Sequence, residues 1–90
     1  GKADRDVVFV LMECLTSEEN FNFYYPLLAG RLCQNSRMYV ISFHYYLWDQ
    51  IRGLNRFSDA GRRNLALFIK SMLADGHLGI RVFKPIDFLG

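Results

Sequence analysis

The chain has no apolar run near the roughly 18 residues that a membrane-crossing helix needs, so neither a membrane span nor a membrane partner is expected. Its start, Gly1–Lys2–Ala3–Asp4–Arg5–Asp6, leads into no long apolar segment, and no signal peptide is visible. There are 2 cysteines, Cys14 and Cys33, and no CxxC pair, which excludes a disulfide framework. Each lies in an apolar helical context and reads as a reduced, buried thiol of a cytosolic or nuclear protein. Histidine is equally scarce, with only His44 and His77. No HExxH, no paired Cys/His spacing and no glycine-rich phosphate loop occurs, so no metal, cofactor or small-molecule substrate is expected. An enzyme needs reactive groups that converge, and none do in the sequence. His44, among Phe43, Tyr45 and Tyr46, suits packing or hydrogen bonding better than catalysis. His77 follows Gly76, where a histidine interacts well with the last carbonyls of a helix.

What the chain does have is apolar side chains at helical spacing. Of its 90 residues, 51% are hydrophobic and 16% aromatic, which argues for a packed core over disorder. Val8, Leu11, Met12 and Leu15 follow the i, i+3, i+4, i+7 template within a first helix over Ala3–Leu15, and that pattern outweighs the β-prone string Val7–Val8–Phe9–Val10. Asn22 suits the N-cap of a second helix, with Pro26 in its first turn and Tyr25, Leu28 and Leu32 along one side. Gly30 costs that helix about 1 kcal/mol relative to Ala, which suggests close approach of a neighbouring helix. Ser36 can cap a third helix from Arg37 to about Leu54, lined by Val40, Phe43, Leu47 and Ile51, with Gly53 and Asn55 as stop signals. Ser58 or Asp59 caps a fourth, with Leu65, Phe68, Ile69, Met72 and Leu73 in register and Asp75–Gly76 at its end. The tail from Leu78 to Lys84 reads as one short helix stopped before Pro85.

The expected fold is therefore all-α: four or five antiparallel helices in hairpins, with sequence neighbours packed together in a solenoid-like stack. The expected core is Leu11, Leu28, Leu32, Phe43, Leu47, Trp48, Phe68, Ile69 and Met72. For Trp48–Asp49 the expectation is an indole in the core and a carboxylate accepting from a loop or an arginine.

The net charge of +2 is unevenly spread. Residues 1–49 carry 4 lysines and arginines against 6 acidic residues, whereas residues 50–90 carry 7 against 3. The second half can thus face an anionic partner, although a solvated basic surface explains it too. Arg56, Arg62 and Arg63 cluster around the loop between the third and fourth helices. With Arg52 and Lys70 they could touch phosphates, but no stacking platform for RNA is legible.

The segments NFYYPLLAGRLC (22–33) and FHYYLWDQIRGL (43–54) resemble the MA-3 (MI) domain of nucleolar MIF4G-domain proteins. Ala29, Arg31, Leu32, Cys33, Trp48 and Asp49 match that family's pattern, and LMECL (11–15) is similar to the helix end preceding it. A spliceosomal relative with MIF4G and MA-3 modules shares the LLAGR-x-C segment, while the Trp-Asp pair favours the nucleolar branch. The resemblance covers nearly all of residues 1–90, read as a single, partial domain whose first family helix would precede Ala3. It implies a HEAT-like module without catalysis, in a nucleolar or nuclear factor for maturation of small-subunit ribosomal RNA. It also implies a helicase of the initiation-factor-4A DEAD-box type as associate, mainly through a neighbouring MIF4G domain, and pre-ribosomal assembly factors as partners. In other MA-3 proteins, acidic residues in the loop after the third helix engage the helicase. Here that loop, residues 55–63, is largely basic, which leaves room for ribosomal RNA or another assembly factor. Arg56, Asp59, Arg62 and Arg63 are the expected partner-binding residues.

Overall fold

The computed structural model describes residues 2–83, and among these there are four α-helices and no strand. They are α1 (Lys2–Ser17), α2 (Tyr24–Asn35), α3 (Arg37–Arg52) and α4 (Asp59–Ala74), with short 3₁₀ turns at Leu54–Arg56 and Ile80–Phe83. No described helix is long and apolar enough to cross a membrane.

The helix boundaries follow local chemistry. The capping position of α2 is Phe23 rather than Asn22 and carries no side-chain cap; one residue earlier the Asn22 carboxamide accepts from the Tyr24 amide at 2.9 Å, and Pro26 falls in the first turn as expected. The Ser36 hydroxyl accepts from Met38 N–H at 3.2 Å and caps α3. At α4 the capping residue is Ser58, which accepts from Gly61 N–H at 3.0 Å. Gly76 takes φ 75°, the left-handed conformation that suits glycine. Its N–H reaches the Leu73 carbonyl, and the His77 N–H reaches that of Met72, which closes the helix in a Schellman motif. α3 stops at Arg52, two residues short of the expected end, because the chain tightens into a 3₁₀ turn after Gly53. The tail turn starts at Ile80 rather than Leu78, and the expected stop before Pro85 lies outside the described residues.

The apolar stripes meet in one core. Val8, Leu11, Met12 and Leu15 of α1 join Phe43 and Leu47 of α3, Leu65, Phe68, Ile69 and Met72 of α4, and Leu78 and Val82 after it. α2 adds Ala29 and Cys33. The Phe43 and Phe68 rings, both fully buried, stand 5.8 Å apart between α3 and α4. Three residues expected in the core are only half-buried: Leu28, Leu32 and Trp48. On α2 the small residues Ala29 and Gly30 face inward instead, so the bulkier leucines lie at the margin. Trp48 keeps its indole N–H at the rim, where it donates to the Arg81 carbonyl at 2.8 Å and ties the tail turn to α3.

The packing order differs from a simple run of hairpins. α1 and α2 each lie closely against both α3 and α4, while α3 and α4 approach each other less closely than either approaches α1. The reason for Gly30 also differs: a Cβ there would lie 2.6 Å from Nε2 of His77, so a side chain from the loop after α4, not a helix, needs the space. Of the two thiols, Cys33 is buried but Cys14 is exposed, because it falls on the outward side of α1 next to the stripe residues Leu11 and Leu15.

Candidate functional site

Each of the four sequence-selected residues lies in the α3–α4 connection or the first two turns of α4. Arg56 donates to the Gly53 carbonyl at 3.1 Å and to Gln50 Oε1 at 2.7 Å, with its guanidinium 5.7 Å over the Phe57 ring. Arg62 donates to the Phe57 carbonyl at 2.9 Å and pairs with Asp59 one turn earlier. Both arginines thus donate to carbonyls that flank the 3₁₀ turn, Gly53 before it and Phe57 after it. Arg63 reaches away from them, to the Glu19 carbonyl in the α1–α2 connection. The structure therefore pairs Asp59 with Arg62, turns Arg56 back onto the end of α3, and aims Arg63 elsewhere.

Arg63 belongs to a clasp on the end of α1. The last carbonyls of a helix have no partner within it. Asn64, wholly buried, donates its amide to the carbonyls of Leu15 at 3.1 Å and Glu18 at 2.8 Å. Gly61 lets this approach occur, since a Cβ on it would stand 2.9 Å from the Thr16 carbonyl oxygen. Sequence reasoning missed Asn64, although a polar residue inside the apolar register of α4 was the available signal.

The lone reactive side chains are occupied structurally. His44 Nδ1 lies 2.9 Å from the Val40 carbonyl on its own helix. Asp49 pairs with Arg52 at 3.6 Å on the surface, and the Glu13 carboxylate accepts from the Tyr46 hydroxyl at 2.8 Å. Burial pushes the Cys33 thiol up to about 11, which leaves it protonated and inert at neutral pH. The Tyr25 hydroxyl is raised to about 12, chiefly by its hydrogen bond to Glu18. No group of three or more His, Cys, Asp or Glu able to hold a metal ion occurs among the described residues.

Two open grooves stand out among the described residues. The larger, about 880 Å³, runs between α1 and α3, with Phe9, Met38, Ile41 and Tyr45 along it and the buried Asp4–Ser42 hydrogen bond at its floor. Phe9 and Tyr45 are 55% and 62% exposed, high for aromatic side chains on a packed module. The smaller, about 440 Å³, lies between the C-terminal end of α3 and the length of α4. Its walls are Ile51, Leu54, Leu65, Ile69 and Leu73, with Arg62 and Lys70 at the rim. It adjoins the loop arginines directly, because Arg62 belongs to both.

Comparison with known proteins points to one family. The profile of the MA3 domain matches residues 2–79. The chain is 34% identical over 98% of its length to the Drosophila melanogaster protein named Nucleolar MIF4G domain-containing protein 1 homolog. It is 27% identical over 94% to Nucleolar MIF4G domain-containing protein 1 of Homo sapiens. It is also 30% identical over 89% to Pre-mRNA-splicing factor CWC22 of Eremothecium gossypii. The chain spans only 10% of the length of the first two and 14% of the third. No solved structure gives a significant match. The animal relatives are named as nucleolar proteins, in keeping with the expected nucleolar or nuclear location.

Proposed function

This chain belongs to the MA3 domain family, and on that premise we propose that it is a non-catalytic protein-interaction scaffold in a nucleolar factor for small-subunit ribosome biogenesis. Residues 1–90 act as one domain of that larger protein. In this reading the module works beside a 4A-type DEAD-box helicase and pre-ribosomal assembly factors, and its partner surface is the α3–α4 connection with Arg56, Asp59, Arg62 and Arg63. The observation that carries the reading is the family match over residues 2–79, joined to relatives named as nucleolar. The His44 ring held by its own helix and the apolar grooves support it, since they offer surface for docking and no cluster of reactive side chains occurs among the described residues.

The test is binding of the purified chain to a purified 4A-type helicase, read by fluorescence anisotropy. Arg56→Glu and Arg63→Glu should each weaken binding about tenfold, as reversal of an interface charge does. Wild-type affinity in both variants, with folding intact by circular dichroism, rejects this surface.

One observation favours a second reading. Arg56, Arg63 and Lys70 make no ion pair with a carboxylate among the described residues, so together with Arg52 they could meet ribosomal RNA. Binding to RNA would fall steeply with salt, whereas an apolar-centred protein contact would not. The likeness to a splicing factor keeps a spliceosomal setting as a further alternative. Co-purification of the parent protein with pre-ribosomal or with spliceosomal particles decides between them.

A further inference from the structure

The smaller groove has a definite chemical character. Its walls are five aliphatic side chains, and no carboxylate lines it. It lies where α3 and α4, straddled by α1 and α2, approach each other less closely than either approaches α1. Along its edge α4 presents Ala66 and Lys70, both exposed, on a ridge that the i, i+3, i+7 spacing continues back to Arg63. Ala66 is the low point of that ridge and also lines the groove. Lys70 makes no hydrogen bond or ion pair among the described residues, and Arg63 donates only to a neutral carbonyl. Asp59, the nearest acidic residue on α4, is already paired with Arg62.

From this we propose that the α3–α4 groove docks an acidic amphipathic helix of a partner protein. Its apolar side chains at i, i+3 or i+4 and i+7 would enter between Leu54 and Leu73, over Ala66, and its carboxylates would face Lys70, with Arg62 on the same rim. The geometry is that of a helix laid in a groove, where apolar anchors supply affinity and charge fixes orientation. A phosphate backbone fits less well, because aliphatic walls offer a nucleic acid neither stacking nor hydrogen bonds. The proposal rests on the protein-interaction reading but needs neither the helicase nor the nucleolar setting.

The test uses the 90-residue chain, ¹⁵N-labelled, and two short synthetic helices as probes. Both carry leucine and phenylalanine at the anchor positions, one with glutamates between them and the other with lysines. The acidic peptide should shift the amides of Ile51, Leu54, Ala66, Ile69, Lys70 and Leu73 at concentrations below about 1 mM, the range of a weak specific contact. The basic peptide should bind at least tenfold more weakly. Ala66→Glu, at an exposed position, should abolish the shifts, and Lys70→Glu should weaken them about tenfold. Equal binding of the two peptides, shifts confined to the Phe9–Tyr45 groove, or unchanged binding to Ala66→Glu would each overturn the proposal. So would an oligonucleotide that shifts these amides when the acidic peptide does not. A helicase that fails to bind the wild-type chain counts against the proposed function alone, because the peptide measurement does not involve it.

Discussion

α4 has two unlike sides. Toward α1 it is sealed: Leu65, Phe68 and Met72 enter the common core with Val8, Met12 and Leu15, and Asn64 caps the last carbonyls of α1. Toward the C-terminal half of α3 it stays open, with an aliphatic trough bordered by cations. Both sides are apolar, so hydrophobicity does not tell them apart. What separates them is polar chemistry. The sealed side places a buried donor on orphan carbonyls, and the open side places charges at the rim where solvent or a partner can reach them. A scaffold module of this size needs both, one to hold the helices and one to meet another molecule.

The contrast can be broken hardest at Phe68. Phe68→Ala empties a fully buried position between the two sides, and should lower stability by about 3–5 kcal/mol in urea titration. That is a large fraction of what so small a domain possesses, about 5–10 kcal/mol. Asn64→Asp keeps the shape but turns both donors into acceptors against the Leu15 and Glu18 carbonyls, and buries a charge without a partner. A loss of about 3 kcal/mol is expected, growing as pH rises and the carboxyl ionises. Gly61→Ala should cost about 1–2 kcal/mol, because the added carbon meets the fixed Thr16 carbonyl. On the open side the same measurement should find almost nothing: Ala66→Glu stays within about 0.5 kcal/mol. If Ala66→Glu destabilised as much as Asn64→Asp, the open side would be part of the interior and the contrast would fail. The smallest effect concerns reactivity. A maleimide at neutral pH should label exposed Cys14 and leave Cys33 unmodified, since its thiol is buried and raised to about 11.

The helices were legible because their signals are local. Caps at Ser36 and Ser58, the Gly76 terminator and the three-and-four spacing of apolar residues each act within a turn or two. What was not legible depends on distant partners. Leu28 and Leu32 look like core on a helical wheel, but the small Ala29 and Gly30 face inward, and Gly30 makes room for the His77 ring. The packing of α1 and α2 across both later helices has no counterpart in the spacing of any one segment. The loop arginines were found by charge alone, yet charge could not reveal that Arg62 pins its own loop or that Arg63 reaches the α1–α2 connection. The trough beside them was invisible for the same reason: it arises from two helices failing to close.

Hydrogen–deuterium exchange of the 90-residue chain, alone and with a purified 4A-type helicase, bears most directly on the scaffold account. Slowed exchange from the Leu54–Arg56 turn through the first two turns of α4, with the α1 face unchanged, is the expected result. Binding that protects only the Phe9 and Tyr45 groove, or no protection at saturating helicase, would contradict it.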